Sequence, residues 1–183
     1  MTSAAPTVHL MTPRLILREL TEEDLPSLSA LLQDEQTMHA YEGAFSNDMV
    51  HAWFCRMLER YDSDGYGLWA AINRDTGVMI GQCGLTRQTI LDRDVIEVGY
   101  LFHRAHWHQG FAVEAASACR DYAFHHVNEH KVWAQVRDTN IASMNVAIRL
   151  GMTVRGRFVK HYRGVDMPHL AFAINNPRFT QNA

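Results

Sequence analysis

The chain has 183 residues, 47% of them apolar and 20% charged, with a formal net charge of −3 at pH 7. That length makes one domain with room for a real core, and the slightly acidic balance argues against a general nucleic-acid binder, which would be basic. Cys55, Cys83 and Cys119 are widely spaced without a CxxC pair, so neither a disulfide framework nor a zinc ribbon is expected, and MTSAAPTVHL lacks the basic and apolar regions of a signal peptide. No apolar run reaches membrane-spanning length. A cytoplasmic protein with reduced thiols is the expectation.

Residues 1–11 read as a loose lead-in, 12–176 as a single domain and 177–183 as a tail. Arg14–Arg18 forms a first strand with Leu15 and Leu17 on its buried face. Thr21-Glu22-Glu23-Asp24 has the form of a helix cap, and Leu25, Leu28 and Leu32 follow at helical spacing. Ser46-Asn47-Asp48 starts a second helix, whose Met49, Trp53 and Met57 make one stripe expected in the core. Residues 66–73 and 78–88 read as strands around the turn Asn73-Arg74-Asp75-Thr76-Gly77, and 94–103 as a third. A helix opens after Gly110, and Lys131–Arg137 is a strand. Asn140 caps a short helix with Ile141, Met144 and Ile148 inward, closed by Gly151. Two last strands, 152–162 and 165–174, meet at Arg163-Gly164. The pattern predicts a mixed α/β fold around a single sheet.

Glu97 is the unusual residue of the strand Val95–Phe102. Side chains alternate, so it shares a face with Gly99 and Leu101. Burying an unpaired charge is costly, so this carboxylate either takes a proton from an incoming ammonium, directly or through water, or is salt-bridged or partly exposed. Beyond the strand, His108-Gln109-Gly110-Phe111-Ala112 opens a helix kept slim by Ala115, Ala116, Ser117 and Ala118. A glycine there lets a ligand approach the main chain, and first-turn N–H groups without intrahelical partners favour the oxygens of a diphosphate. Tight strand-to-helix packing is the simpler use of Gly110, and GxGxxG and Walker A patterns are both absent.

In Asn140-Ile141-Ala142-Ser143-Met144-Asn145, Asn140 has a capping role, while Ser143 stands one turn in, where its hydroxyl could donate to a cofactor or leaving group. Asn145 falls on the surface or behind the site. His103, His106 and His108 could bind zinc, but a loop gives three imidazoles no fixed face and no further ligand follows by spacing, so no metal is expected. Arg149, Arg155, Arg157, Lys160, His161 and Arg163 read as a solvated strand face, or as a collar for an acidic substrate or a cofactor phosphate.

TPRLILREL, VGYLFHRAHWHQGFAVEA and NIASMNVAIRLGM, in this order and spacing, resemble the GNAT superfamily of acyl-CoA-dependent N-acyltransferases, and within it the ribosomal-protein N-terminal acetyltransferase-like subgroup. The resemblance covers nearly the whole chain. It implies a single-domain α/β fold, with a mixed, largely antiparallel central sheet of about seven strands flanked by helices on both faces. A bulged strand matching Val98–His103 would spread from its neighbour and bind the pantetheine arm of acetyl-CoA through the main chain of Tyr100, Leu101 and Phe102. The turn His108, Gln109, Gly110, Phe111, Ala112 and Val113 would hold the pyrophosphate. The helix Asn140–Leu150 would line the thiol end with Asn140, Ser143 and Asn145. Trp107 stands where the family has Gln or Arg, and His108 where the subgroup often has glycine; the main-chain N–H groups survive both changes.

The activity so implied is transfer of an acetyl group from acetyl-CoA to a primary amine by direct attack in a ternary complex. Glu97, or a water it holds, would take the amine proton, and main-chain N–H groups near Tyr100–Leu101 would stabilise the oxyanion. Residues 140–150 contain no Tyr, which leaves Ser143 to protonate or solvate the departing thiolate. The acceptor side would comprise Tyr41, Glu42, Trp53 and Tyr162, with Phe45 and Phe54. Aromatic walls with one carboxylate, Glu42, suit a cationic amine or a peptide N-terminus. The expected partners are acetyl-CoA and a small-molecule amine or protein N-terminus, without nucleic acid or membrane, as a monomer or homodimer. The rival reading is a non-catalytic acyl-CoA-binding sensor or interaction domain; a metal hydrolase built on the His cluster comes third.

Overall fold

In the computed structural model, which describes residues 5–180, eight strands join one sheet in the order β1-β2-β3-β4-β5-β6-β8-β7. β1 (Val8–Met11), β2 (Leu15–Arg18), β3 (Leu68–Asn73), β4 (Met79–Ile90) and β5 (Arg93–Phe102) form an antiparallel run. β6 (Lys131–Arg137) lies parallel to β5, and β8 (Val165–Asn175) and β7 (Thr153–Tyr162) follow antiparallel. β3 reads LWAAIN, almost wholly apolar, because both of its faces are covered. On one side Leu68, Ala70 and Ile72 meet Leu28 and Leu32 of α1 (Leu25–Leu32) and Val50, Phe54 and Met57 of α2 (Asn47–Asp64). On the other, Trp69 and Ala71 share a core with Ala115, Ala116 and Cys119 of α3 (Phe111–His125) and Ala147 of α4 (Ile141–Arg149). Ala115, Ala116 and Ala123 of α3 are fully buried, which lets its backbone lie close to the sheet.

Four expectations change. Residues 8–11 are not lead-in: β1 adds an eighth strand beside β2, with His9 stacked 4.6 Å from Trp69 and bonded to Glu19 at 3.1 Å. The tail begins as a one-turn helix, α5 (Pro177–Thr180), while residues 1–4 and 181–183 lie outside the described residues. Ile141 and Ile148 are 68% and 58% exposed, and the inward stripe of α4 is Met144 and Ala147, continued by Leu150. Within the stripe of α2, Met57 is core, whereas Met49 and Trp53 are half-buried and line a cavity.

The site is positioned by a fork in the sheet. β5 keeps an unbroken register with β4 from Arg93 to Phe102, so the expected bulge is not there. With β6 it pairs only at Ile96–Val132 and Glu97–Trp133, and beyond Glu97 the two strands part. The cause lies in one side chain. The main-chain N–H of Gln135, the next donor along β6 on this side, bonds to Oε1 of Glu97 at 3.3 Å. A carboxylate thus replaces a rung of the ladder, and among the described residues Val98 and Tyr100, whose main chain faces β6, have no pairing with it. Among the described residues no helix is long and apolar enough to cross a membrane.

Candidate active site

Below the fork, a cavity of about 390 Å³ opens between α2 and the sheet. Strand alternation puts Gln82, Thr86 and Gln88 of β4 on its floor, beside Glu97 of β5 and Gln135 of β6. Glu97 is 9% exposed, and its oxygens are held by neutral donors. Its Oε2 accepts from Gln135 Nε2 at 3.0 Å and from Thr86 Oγ1 at 3.4 Å. Lys160 Nζ donates to Gln135 Oε1 at 3.4 Å, so the amide of Gln135 links the ammonium to the carboxylate. Burial drives the Glu97 carboxyl above the ordinary carboxylate range, while the Gln135 bonds and the Lys160 charge pull it partly back. A carboxylate so placed is a stronger base than one in water.

Tyr41, Phe45 and Trp53 form one wall, their rings edge to face with centroids 5.8–6.3 Å apart, and Tyr162 lines the cavity from β7. Burial, reinforced by Glu97 and Tyr162, raises the Tyr41 phenol far above its usual value, so it stays protonated as a donor. Glu42 does not belong to this wall. It turns away into an ion pair with Arg137 at 2.5 Å, and Arg137 also donates to the carbonyl of His39 at 2.9 Å. The carboxylate expected to greet a cationic amine is already neutralised. Phe54 is a core residue that does not line the cavity.

On the opposite face of the sheet, α3 begins at Phe111 with Gly110 as its N-cap at φ +83°. Having no side chain, Gly110 cannot cap the first turn, and the N–H groups of Phe111, Ala112 and Val113 remain open to an anion. Arg14 stands beside the turn, its charge answered by Glu114 at 2.6 Å; it donates to the carbonyl of Gln109 at 2.9 Å and lies 4.2 Å over the Phe111 ring. His108 takes a left-handed φ of +60°, Gln109 bonds back to Ala105, and the Trp107 indole donates to the carbonyl of Phe102 at 2.7 Å. Tyr100 spans the fork, its hydroxyl donating to the carbonyl of Ser143 at 2.9 Å. Asn140 caps α4 through the Ser143 N–H at 3.1 Å. Tyr100, Leu101, Asn140 and Ser143 all line the cavity; Asn145 is exposed and stands apart from it.

The histidines do not converge. His103 bonds to Ser27 Oγ at 3.2 Å, with burial and then His106 lowering its proton affinity, and among the described residues no three His, Cys, Asp or Glu side chains gather. Of the basic collar, Arg157 pairs with Asp138, His161 with Asp166, and Arg163 reaches the Gly43 carbonyl. Only Lys160 of that group lines the cavity. Arg14, Gln82 and Gln135 escaped the sequence reading, since an arginine before a strand or a glutamine within one signals nothing until the sheet is assembled.

The acetyltransferase (GNAT) domain family matches residues 14–153. The chain is 37% identical over 144 residues to the uncharacterized protein YkkB of Bacillus subtilis (strain 168), covering 78% of this chain and 84% of that protein. Among solved structures it is similar to an acetyltransferase from Agrobacterium tumefaciens str. C58, 27% identical, with a TM-score of 0.77 and 96% of each chain covered. A ribosomal-protein-S5-alanine acetyltransferase from Vibrio fischeri, 17% identical, shares the fold at a TM-score of 0.76 over 93% of this chain and 98% of that one. Since the family match runs from the start of β2 to the start of β7 and takes in the fork, the open turn at Gly110 and α4, the chain belongs to the GNAT family of acetyltransferases.

Proposed function

We propose that this acetyltransferase moves the acetyl group of acetyl-CoA directly onto a primary amine, on a small molecule or a peptide N-terminus, with both substrates bound together. The observation that carries the reading is Glu97, a buried carboxylate of raised proton affinity at the point where β5 and β6 part. The surrounding residues suit the co-substrate: the uncapped turn after Gly110, with Arg14 beside it, fits a diphosphate, and the main chain of Val98 and Tyr100, unpaired with β6, fits an amide-rich arm. Glu97 takes the proton of the acceptor's ammonium, directly or through water, and the neutral amine attacks the thioester carbonyl. Main-chain N–H groups near Tyr100 and Leu101 steady the oxyanion as the C–N bond forms. As the C–S bond breaks, the nitrogen loses its second proton and the leaving sulfur gains one, the Ser143 hydroxyl giving a proton to the sulfur as it takes one from the nitrogen side, directly or through water. A thiol of this kind has a pKa of about 8.5, so a weak donor suffices. Side-by-side positioning supplies much of the rate.

The test is a calorimetric titration with acetyl-CoA against CoA, followed by thiol release over a panel of amines. One-to-one binding in the micromolar range, about −8 kcal/mol, with amine-dependent release of CoA, supports the reading. Tight binding without turnover on any amine favours an acyl-CoA sensor instead.

A further inference from the structure

We infer that the acceptor amine also carries a carboxylate: the cavity is built for a small amino carboxylate of amino-acid type, held by Arg56, Arg60, Lys160 and Gln82 against the aromatic wall. The inference rests on the acceptor pocket proposed above and gives it a chemical class. Charge is the first argument. Among the described residues Glu97 is the one carboxylate lining the cavity, while Arg56, Arg60, Arg137 and Lys160 all line it, and of these only Arg137 has its charge answered by an ion pair, with Glu42.

Helical spacing supplies the second argument. Trp53, Arg56, Met57 and Arg60 stand at i, i+3, i+4 and i+7 of α2, so two guanidiniums and an indole share the face turned to the cavity. Arg56 and Arg60 repel one another, and neither has a carboxylate within ion-pair distance among the described residues. Asp64, one turn beyond Arg60, is taken by Arg87 at 3.1 Å. Burial and the Arg56 charge weigh against the charged form of Arg60, and the more distant Asp64 and Glu97 offset them only in part, a cost that a ligand's anion in direct contact removes.

Gln82 is independent of both. It is 0% exposed, and its Oε1 accepts from the indole N–H of Trp53 at 3.2 Å. An indole nitrogen can only donate, so Trp53 fixes which end of the amide is oxygen. That leaves Gln82 Nε2 as a buried donor with no acceptor among the described residues, which native proteins seldom leave so. A carboxylate oxygen is the acceptor that the guanidiniums and this amide would share. The amine end then falls toward Glu97, and an apolar or aromatic body packs on Tyr41, Phe45 and Trp53. A polyamine fits poorly, because its further charges would lie beside Arg56, Arg60 and Lys160.

The experiment separates this inference from the transferase reading. N-acetyl-phenylalanine, N-acetyl-leucine and N-acetyl-methionine, and their carboxamides, are titrated into the enzyme–CoA complex. In parallel, CoA release is measured with phenylalanine, leucine, methionine, their amides, phenethylamine and spermine. The expected result is about tenfold or greater preference for carboxylate over carboxamide in binding, lost in Arg60→Gln, partly rescued in Arg60→Lys, and weakened in Arg56→Gln. CoA titration of each variant checks that it is folded. Equal binding of acids and amides overturns the inference even if turnover is brisk, as does faster turnover of spermine or phenethylamine. Carboxylate-selective binding without turnover upholds it and sinks the transferase reading instead.

Discussion

Replacing Glu97 by Gln removes the proposed base while keeping its shape. The oxygen of the substituted side chain can still accept from the Gln135 N–H, and its amide nitrogen can donate to Thr86 Oγ1. Gln135 Nε2 then faces a donor, because Lys160 holds the other end of that amide. One mismatched buried donor costs about 1–3 kcal/mol. Against this stands relief of the buried charge. The folded carboxyl holds its proton more tightly than the unfolded one, so the stability it contributes is full below the ordinary carboxylate range and is lost as pH rises through its raised value. At pH above that raised value the variant escapes that loss, and its melting temperature is expected to move little there. Turnover should fall far more: loss of a general base typically costs about 10²–10⁴-fold, about 3–5 kcal/mol in the barrier. Stopped thiol-release assays from acid to alkaline pH should show the wild-type rate rising as Glu97 deprotonates, and Glu97→Gln without that limb. Calorimetry should give both the same acetyl-CoA affinity. A variant that keeps full turnover and the same acid limb would remove Glu97 from the chemistry.

Three shorter predictions concern the rest of the site. Gly110→Val forces a β-branched residue to φ +83° at the helix start; it should lose acetyl-CoA binding by calorimetry and about 1–2 kcal/mol of stability or more. Ser143→Ala should slow turnover by about tenfold at most, since a thiolate leaves without strong help, and should leave α4 intact because the cap uses the Ser143 N–H rather than its hydroxyl. Cys83 and Cys119 lie buried 3.6 Å apart, with burial raising the Cys119 thiol, whereas Cys55 is exposed. A thiol reagent should therefore titrate one cysteine in the native protein and three in denaturant; fast reaction of all three in the native state would contradict the core packing.

Local signals made most of the architecture legible. Alternation marked β2 and β5, apolar runs between turn residues marked the other strands from β3 to β8, Ser46 and Asn140 cap the helices they were expected to cap, and Gly110 sits where the helix opens. β1 carries no alternation, with Val8 and Met11 exposed and His9 and Leu10 half-buried, and it is held by its ladder with β2 and the stacking of His9 on Trp69. The inward face of α4 was misread since a nine-residue helix with Ile at 141 and 148 fits two stripes, and the close approach to α3 favours the one with Ala147. Glu97 stood out as a charge in an apolar strand. Its partners did not, because Gln135 lies on a strand remote in sequence that becomes a neighbour only through the parallel pairing of β5 with β6. Glu42 misled for the converse reason: a carboxylate among aromatics looks like a binding group until Arg137, from another strand, claims it.

The same side chain that ends the β5–β6 ladder is the one placed to take a proton, so fold and chemistry meet at Gln135. That residue bonds both carboxylate oxygens and connects them to Lys160. Each of those links favours the charged form of Glu97 against the burial that opposes it. Gln135→Leu keeps the main-chain N–H and hence the fork, but removes the amide bridge. The carboxyl should then hold its proton to higher pH, so the acid limb of the rate profile moves upward while the alkaline plateau falls little. Lys160→Met should move the limb the same way, through loss of its charge and of its bond to the Gln135 amide, and should also raise the acceptor's KM. A purely structural role for Gln135 would predict the opposite pattern: lower activity by one factor at every pH, with a lower melting temperature. The two profiles differ most along the acid limb, where the wild-type rate is still rising, and that is where the measurement decides between them.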